Sequence, residues 1–356
     1  MLATQPEPEK AMSATPIKPA FPTRRIGQTS LEVTTLGLGG ATLAGMMVEV
    51  PEEQARATVA RALEAGITYY DTAPQYGLGR SEHVMGDALR WHRPGTVLST
   101  KVGRRLKPVQ RESDRVYAHS WASPLSFDMV YDYSYDGIMR SLEDSLQRLG
   151  VPAVDILYVH DIGVMTHGDK NPGYWQQLKS GGYRALTELK RAGTISAIGL
   201  GVNEWEVLME AFDIGDWDVF LLAGRYTLLE QTSLSPFLEA CVKRRSSVVV
   251  GGPFNGGALM GTGMWNYAKA PPAIVDRVKQ LENFCKEFNV PIGAAALQFP
   301  LSHPAVATVL PGPKSPAELN GILDWWQVKI PNAFWEALAD RHLVAPGTPL
   351  PNGKTA

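Results

Sequence analysis

The chain has 356 residues, 44% of them hydrophobic, and a formal net charge of -2 at pH 7. That length suits one large α/β barrel or two small domains, and no break in composition separates two. The near-neutral charge argues against a nucleic-acid or membrane-surface partner. Cys241 and Cys285, with no Cys-x-x-Cys or His-x-x-x-His spacing, argue against a disulfide scaffold and a metal site. The expected partner is a small molecule, the expected location the cytoplasm, and the expected state a monomer or weak homo-oligomer.

Residues 1–22 are rich in Pro, Ala, Thr and Lys without periodicity and read as a disordered tail, with Met12 an alternative start. They lack the apolar core of an export signal, and no later stretch approaches membrane-span length. Residues 25–33, with Gly27-Gln28-Thr29-Ser30 at the turn, read as a hairpin that plugs one end of a barrel. Eight apolar runs follow, at 35–39, 69–72, 97–101, 156–160, 197–201, 219–223, 247–251 and 307–310. Continuous rather than alternating hydrophobicity marks parallel strands covered on both faces. Amphipathic helix patterns lie between them at 53–64, 138–149, 183–192, 205–212, 274–288 and 317–326. Eight strand–helix repeats predict a (β/α)8 barrel spanning 23–343. The rival open sheet would carry Gly-x-Gly-x-x-Gly after its first strand, which Gly37-Leu38-Gly39-Gly40 does not match.

The connections 104–132 and 162–175 exceed ordinary length and read as long loops over the carboxyl-terminal mouth. Pro346, Gly347, Pro349, Pro351 and Gly353 exclude regular structure from the tail 344–356, which is either loose or a cover for the mouth.

Polar residues close several of these strands: Asp71, with Tyr76 just beyond, Lys101 and His160. In a parallel barrel such residues converge on one mouth. Tyr76 is too weak an acid to exchange protons near neutrality unaided, and a neighbouring ammonium favours its phenolate. Lys101 can supply that charge, Asp71 can hold Lys101, and His160 can hydrogen-bond an oxygen at the reacting carbon. Singly, each has an ordinary alternative: a surface Tyr, a turn-capping Asp, a core His. A Lys at a strand end also suits a Schiff-base aldolase.

The motif Tyr70-Asp71-Thr72-Ala73-Pro74-Gln75-Tyr76-Gly77 with Gly79-Arg80-Ser81-Glu82, then Ser99-Thr100-Lys101 and Tyr158-Val159-His160, resembles the aldo-keto reductase superfamily. His160-Asp161-Ile162, Thr166-His167-Gly168-Asp169, Ile198-Gly199-Leu200-Gly201-Val202-Asn203 and Gly224-Arg225-Tyr226-Thr227-Leu228-Leu229 resemble its aldose 1-dehydrogenases for L-fucose, L-galactose and D-threo-aldoses, with pyridoxal 4-dehydrogenases close by. The resemblance implies an NADP or NAD cofactor, Tyr76 as proton donor or acceptor tuned by Lys101 and Asp71, and His160 orienting substrate. It also admits a general aldehyde or ketone reductase and a non-catalytic nicotinamide-binding subunit.

For the cofactor, the resemblance places Asn203 at the nicotinamide carboxamide, Gly252-Pro253-Phe254 over the pyrophosphate, and Gly312, Lys314, Ser315 and Glu318 at the adenosine end. Asn203 also reads as a helix N-cap, and Ser315-Pro316 as a plain helix start. Three positions depart from the family pattern: Ala223 and Ile322 stand where many relatives have Gln and Asn, and Gly251 where many have a stacking aromatic. Arg225 or Tyr226 would then support the nicotinamide ring. Trp121, His119 and Asp161 are the candidate sugar contacts, an aromatic face and hydrogen-bonding groups suiting a pyranose.

Overall fold

The computed structural model of the chain describes residues 19–110 and 121–356. An antiparallel hairpin, β1 (Thr23–Arg25) and β2 (Glu32–Thr34), comes first. There follow β3 (Leu38–Gly39), β4 (Tyr69–Asp71), β5 (Val97–Val102) and a second hairpin, β6 (Arg104–Pro108) with β7 (Phe127–Tyr131). Next are β8 (Ile156–His160), β9 (Ala197–Val202), β10 (Val219–Ala223) and β11 (Ser247–Gly251). A small hairpin, β12 (Met264–Trp265) with β13 (Ala268–Lys269), precedes β14 (Val306–Leu310).

Eight strands form one parallel sheet in the order β14-β11-β10-β9-β8-β5-β4-β3. Its ends meet: Leu36 bridges Val309 in parallel, Gly37 N–H donates to the Val309 carbonyl at 2.9 Å, and Val309 N–H donates to that of Thr35 at 3.0 Å. The sheet is therefore a (β/α)8 barrel, as the eight apolar runs predict. Those runs are continuous because each strand buries two faces. Outward residues such as Leu98, Leu157, Leu200 and Val250 pack with the helices, while Tyr69, Val97, Tyr158, Val219 and Val249 fill the interior.

The first hairpin occupies the amino-terminal end of the barrel. Its Ile26 and Val33 are fully buried in the interior cluster, and Gly27 N–H donates to Ser247 Oγ at 2.7 Å, at the start of β11. Gly27 sits at φ +53°, and a Cβ there would stand 2.5 Å from the Asp218 carbonyl oxygen. Backbone therefore touches backbone, which a larger residue forbids.

The described parts of the long connections carry more regular structure than the sequence suggests. Within 104–132, β6 and β7 form a ribbon of five residue pairs. Residues 162–175 are largely helical, through Val164–His167 and Asn171–Gln177, and continue into the helix Tyr183–Arg191. A further helix, Arg80–Leu89, is absent from the sequence reading; its interior Gly86 weakens the pattern but admits the backbone of Leu149, whose oxygen would lie 2.1 Å from a Cβ. The C-terminal segment folds on itself through a Pro349–Thr355 bridge. It buries Leu350 against the helix layer, and Ser302 Oγ donates to the Pro349 carbonyl at 2.6 Å. Ala345 N–H also donates to Gln231 Oε1 at 3.1 Å, in the connection after β10.

Gly27→Ala combines positive-φ strain with a backbone clash and should cost about 1–3 kcal/mol. Urea unfolding will show the loss, while the folded fraction keeps its turnover rate because the plug lies at the opposite end from Lys101.

Candidate active site

Asp71 closes β4, Lys101 lies on β5 and His160 closes β8, so all three face the carboxyl-terminal mouth. Tyr76 hangs on the turn after β4, where Gly77, Leu78 and Gly79 all take positive φ. A Cβ on Gly77 would come within 2.9 Å of Ala44 Cβ, so glycine is what lets the turn close. The Arg80-Ser81-Glu82 motif anchors it from below. Arg80 Nη2 donates to the Val50 carbonyl at 2.5 Å, and Ser81 Oγ to that of Gly40 at 2.9 Å. Buried Glu82 accepts from Thr100 Oγ1 at 2.8 Å and from Arg148 Nε at 2.5 Å.

The four predicted residues meet. Lys101 Nζ donates to Asp71 Oδ2 at 2.6 Å and to the Thr72 carbonyl at 2.9 Å. The side chains of this pair are 1% and 2% exposed, so their charges are held without water. Nζ stands 4.6 Å from the centre of the Tyr76 ring. His160 meets that ring edge-on, with centroids 5.8 Å apart, and Trp121 stands 5.9 Å from it. Lys101 is thus committed to Asp71 and the Thr72 carbonyl, an arrangement that argues against the Schiff-base reading.

Burial sets the proton affinities. It pushes the Asp71 carboxyl up and the Lys101 ammonium down, and each partner pulls the other back. Tyr76 is raised well above an ordinary phenol by burial, then by Asp71 and Asp161, with Arg104 acting against them. His160 is held well below its usual value by burial and by the Arg104 and Lys101 cations, so its ring is neutral at pH 7.

Arg104 went unremarked in the sequence. It is 3% exposed, and its Nη2 donates to Asp161 Oδ2 at 2.6 Å. Burial weakens its charge, but Asp161 together with Tyr133, Tyr131 and Tyr76 more than compensates. The same Oδ2 lies 3.6 Å from His160 Nε2, which puts this second ion pair beside the tetrad. Tyr133 is the other addition. Its hydroxyl donates to the His160 carbonyl at 2.8 Å, so the 2.9 Å contact with His167 must be an Nε2–H donation to the same oxygen. His167, lowered to about 4 chiefly by burial, is neutral and suited to it. Around Tyr76, His160 Nδ1, Trp121 Nε1 and Arg104 Nε are buried without hydrogen-bond partners among the described residues. Such atoms are ready to bond a ligand.

The remaining candidates fall on the rim. Asn203 follows β9; its amide lies 3.5 Å from Asp161 Oδ1 and accepts from the Tyr267 hydroxyl at 3.4 Å. It is not a helix cap, since the next helix begins after Glu204. Arg225 Nη1 donates to Asn266 Oδ1 at 2.9 Å. Tyr226 is fully buried against Phe299 and His303, which takes it out of the mouth and away from any nicotinamide. Gly252, exposed at φ +56°, and Gly312, also exposed, follow the adjacent ends of β11 and β14. Pro253 is buried, and Phe254 packs edge-on against Trp325 at 5.8 Å. Ser315 caps the helix Pro316–Gln327, its Oγ accepting from Glu318 N–H at 3.1 Å. Glu318 accepts from Lys314 N–H at 2.8 Å and lies 3.4 Å from Lys314 Nζ. Exposed glycine backbone, a helix start and a lysine on neighbouring strand ends suit a dinucleotide phosphate chain. His119 lies outside the described residues.

A barrel with this tetrad at its mouth has the architecture of an α/β-barrel oxidoreductase. Residues 35–341 match the aldo/keto reductase family, and the chain belongs to it. Among its relatives, pyridoxal 4-dehydrogenase of Microbacterium luteolum is 44% identical, over 90% of this chain and 98% of its own length. D-threo-aldose 1-dehydrogenase of a Pseudomonas species is 33% identical, over 88% and 95% respectively. An aldo-keto reductase of Bacillus halodurans, solved in its holo form, superposes with a TM-score of 0.70 at 25% identity, covering 91% of this chain and 97% of that one. The chain is accordingly an oxidoreductase of this family.

Arg104→Met strips Asp161 of its cation and should cost about 3 kcal/mol, because an unpaired buried charge is left behind. The double variant Arg104→Met/Asp161→Asn should recover most of that loss in urea unfolding. Additive losses would mean that the two charges do not depend on each other.

Proposed function

We propose that this protein oxidises a cyclic hemiacetal to its lactone with NADP or NAD, that pyridoxal is its substrate, and that L-fucose, L-galactose and D-threo-type aldoses are the second choice. The 44% likeness to a pyridoxal 4-dehydrogenase, against 33% for the aldose enzyme, supports that order. Both substrates present the same reacting unit, a ring carbon bearing one hydrogen and one hydroxyl. The observation that carries the chemistry is Tyr76, half-buried and flanked by the Lys101 ammonium at 4.6 Å and the His160 ring at 5.8 Å.

In the oxidative direction Tyr76 acts as phenolate and takes the hydroxyl proton as the carbon–oxygen double bond forms; in reverse, the phenol returns it. A bound nicotinamide supplies the hydride acceptor for the hydrogen that leaves the same carbon. Lys101 favours the phenolate, and Asp71 keeps Lys101 charged and aimed. His160, neutral, is a hydrogen-bond partner for the substrate oxygen through a ring nitrogen. Asp161 and Arg104 offer an acceptor and a donor side by side, a pairing suited to neighbouring ring oxygens, and Trp121 offers an aromatic face. Asn203, Arg225, Gly252, Pro253, Phe254, Gly312, Lys314, Ser315 and Glu318 would hold the dinucleotide. Lys314 favours a 2′-phosphate, hence NADP first.

The test is a panel of pyridoxal, L-fucose, L-galactose and D-arabinose with each nicotinamide, following its reduction and identifying the lactone. Because burial and two carboxylates raise Tyr76, the oxidation rate should climb with pH into the alkaline range, where phenolate accumulates. Tyr76→Phe should lower kcat by about 10²–10⁴ with nicotinamide affinity retained. A variant that kept most of its turnover would rule out Tyr76 as the proton-transfer group.

A further inference from the structure

Below the tetrad, the barrel interior holds a row of hydroxyls that the chemistry above does not use. Ser99 Oγ lies 2.7 Å from Asp71 Oδ1, on the carboxylate oxygen opposite the one bound by Lys101. The Tyr69 hydroxyl lies 3.0 Å from Ser99 Oγ, and the Tyr158 hydroxyl 3.0 Å from that of Tyr69. All three residues are fully buried, so no water completes their bonding in competition.

Valence fixes the direction of every bond in the row. A carboxylate has no proton to give, so Ser99 donates to Asp71. Ser99 then has only lone pairs for Tyr69, which must donate to it, and Tyr69 accepts from Tyr158. A longer contact, 3.3 Å from Ser99 Oγ to the Tyr70 carbonyl, competes for the serine proton but is the weaker acceptor. Three O–H dipoles thus point in series toward one buried carboxylate, and bonds in such a chain polarise one another.

We propose that Ser99, Tyr69 and Tyr158 form a positioning chain for the proton-transfer site: they keep Asp71 ionised and fixed in the dry interior, so that Lys101 stays charged beneath Tyr76. A buried ion pair is favourable only when its remaining lone pairs and protons are also satisfied. The Thr72 carbonyl does this for Lys101, and Ser99 does it for Asp71. The chain has a second anchor in geometry, since Tyr69 and Tyr158 point inward from β4 and β8 and bracket β5, which carries both Ser99 and Lys101. Tyr76 above it, Asp161 after β8, Glu82 behind β5 and His160 at the end of β8 also act electrostatically on the pair, and Arg104 neutralises Asp161. None of them touches Asp71 Oδ1. The proposal rests on reading Tyr76 as the proton-transfer group.

The test is the pH profile of kcat/KM for Ser99→Ala, Tyr69→Phe, Tyr158→Phe and the double variant Ser99→Ala/Tyr69→Phe, with nicotinamide affinity as the check on folding. Losing a hydrogen bond to a buried carboxylate makes protonation easier, so activity should fail at higher pH on the acid side. For Ser99→Ala the acid limb should move up by about one unit. Tyr69→Phe and Tyr158→Phe, which keep their rings, should move it the same way by less, in that order. The double variant should shift no further than Ser99→Ala alone, because Tyr69 reaches Asp71 only through Ser99. Should Ser99→Ala fail to bind nicotinamide, the two Phe variants decide. Acid limbs that coincide with the parent, or shifts that add in the double variant, overturn the chain. The fate of the Tyr76 reading is separate, being settled by Tyr76→Phe.

Discussion

The site depends on one interaction, the ion pair between Lys101 and Asp71 sealed inside the barrel at 2.6 Å. Neither charge could be kept there alone, since burial drives each toward its neutral form. Together they need a rigid frame, because an extra ångström between buried charges forfeits roughly a quarter of the attraction that offsets their desolvation. The parallel register of β4 and β5 supplies that frame. It sets Asp71 beside Ser99, two residues before Lys101, and all three side chains turn toward the axis.

Two ionic layers follow from this arrangement. The inner one, Lys101 with Asp71, lies against the Tyr76 ring, with Nζ 4.6 Å from its centre. The outer one, Arg104 with Asp161, lies beside His160 at the mouth, where Asp161 retains some exposure and an oxygen-rich ring could bond to it. The interior between strands is also asymmetric. Tyrosine hydroxyls fill the side of β4 and β8, while Gly199, Gly201, Ala223 and Gly251 line the side of β9 to β11. A Cβ on Gly201 would stand 3.3 Å from Lys101 Cε, so small residues there leave the lysine its path to the mouth.

Much of this was legible in the sequence because parallel strands make themselves conspicuous. Eight apolar runs gave eight strands, and the polar residue closing each of three runs, with Tyr76 on the turn, gave the tetrad. What escaped depends on distant pairing. Arg104 reads as an ordinary surface residue until Asp161, 57 positions away, is known to sit on its guanidinium. The ribbon β6–β7 reads as loop because its strands are partly exposed and lack a clean alternation. Ser99, Tyr69 and Tyr158 were hidden inside runs counted as apolar, where the identity of inward-facing groups emerges only with the register. Tyr226 was misplaced for the opposite reason: an aromatic just after a strand end can fold back into the helix layer, as it does against Phe299 and His303.

The most direct test of the account is the pH dependence of hydride transfer in Lys101→Met, measured in single turnovers beside the parent. Without the ammonium, Tyr76 loses the cation that stands 4.6 Å from its ring while Asp71 is driven toward its neutral form, and the phenolate becomes harder to form. The oxidation profile should therefore move to higher pH by more than about one unit, with the maximal rate approached only in strong alkali. A profile of unchanged position, lowered in rate alone, would contradict the claim that the buried pair tunes the tyrosine.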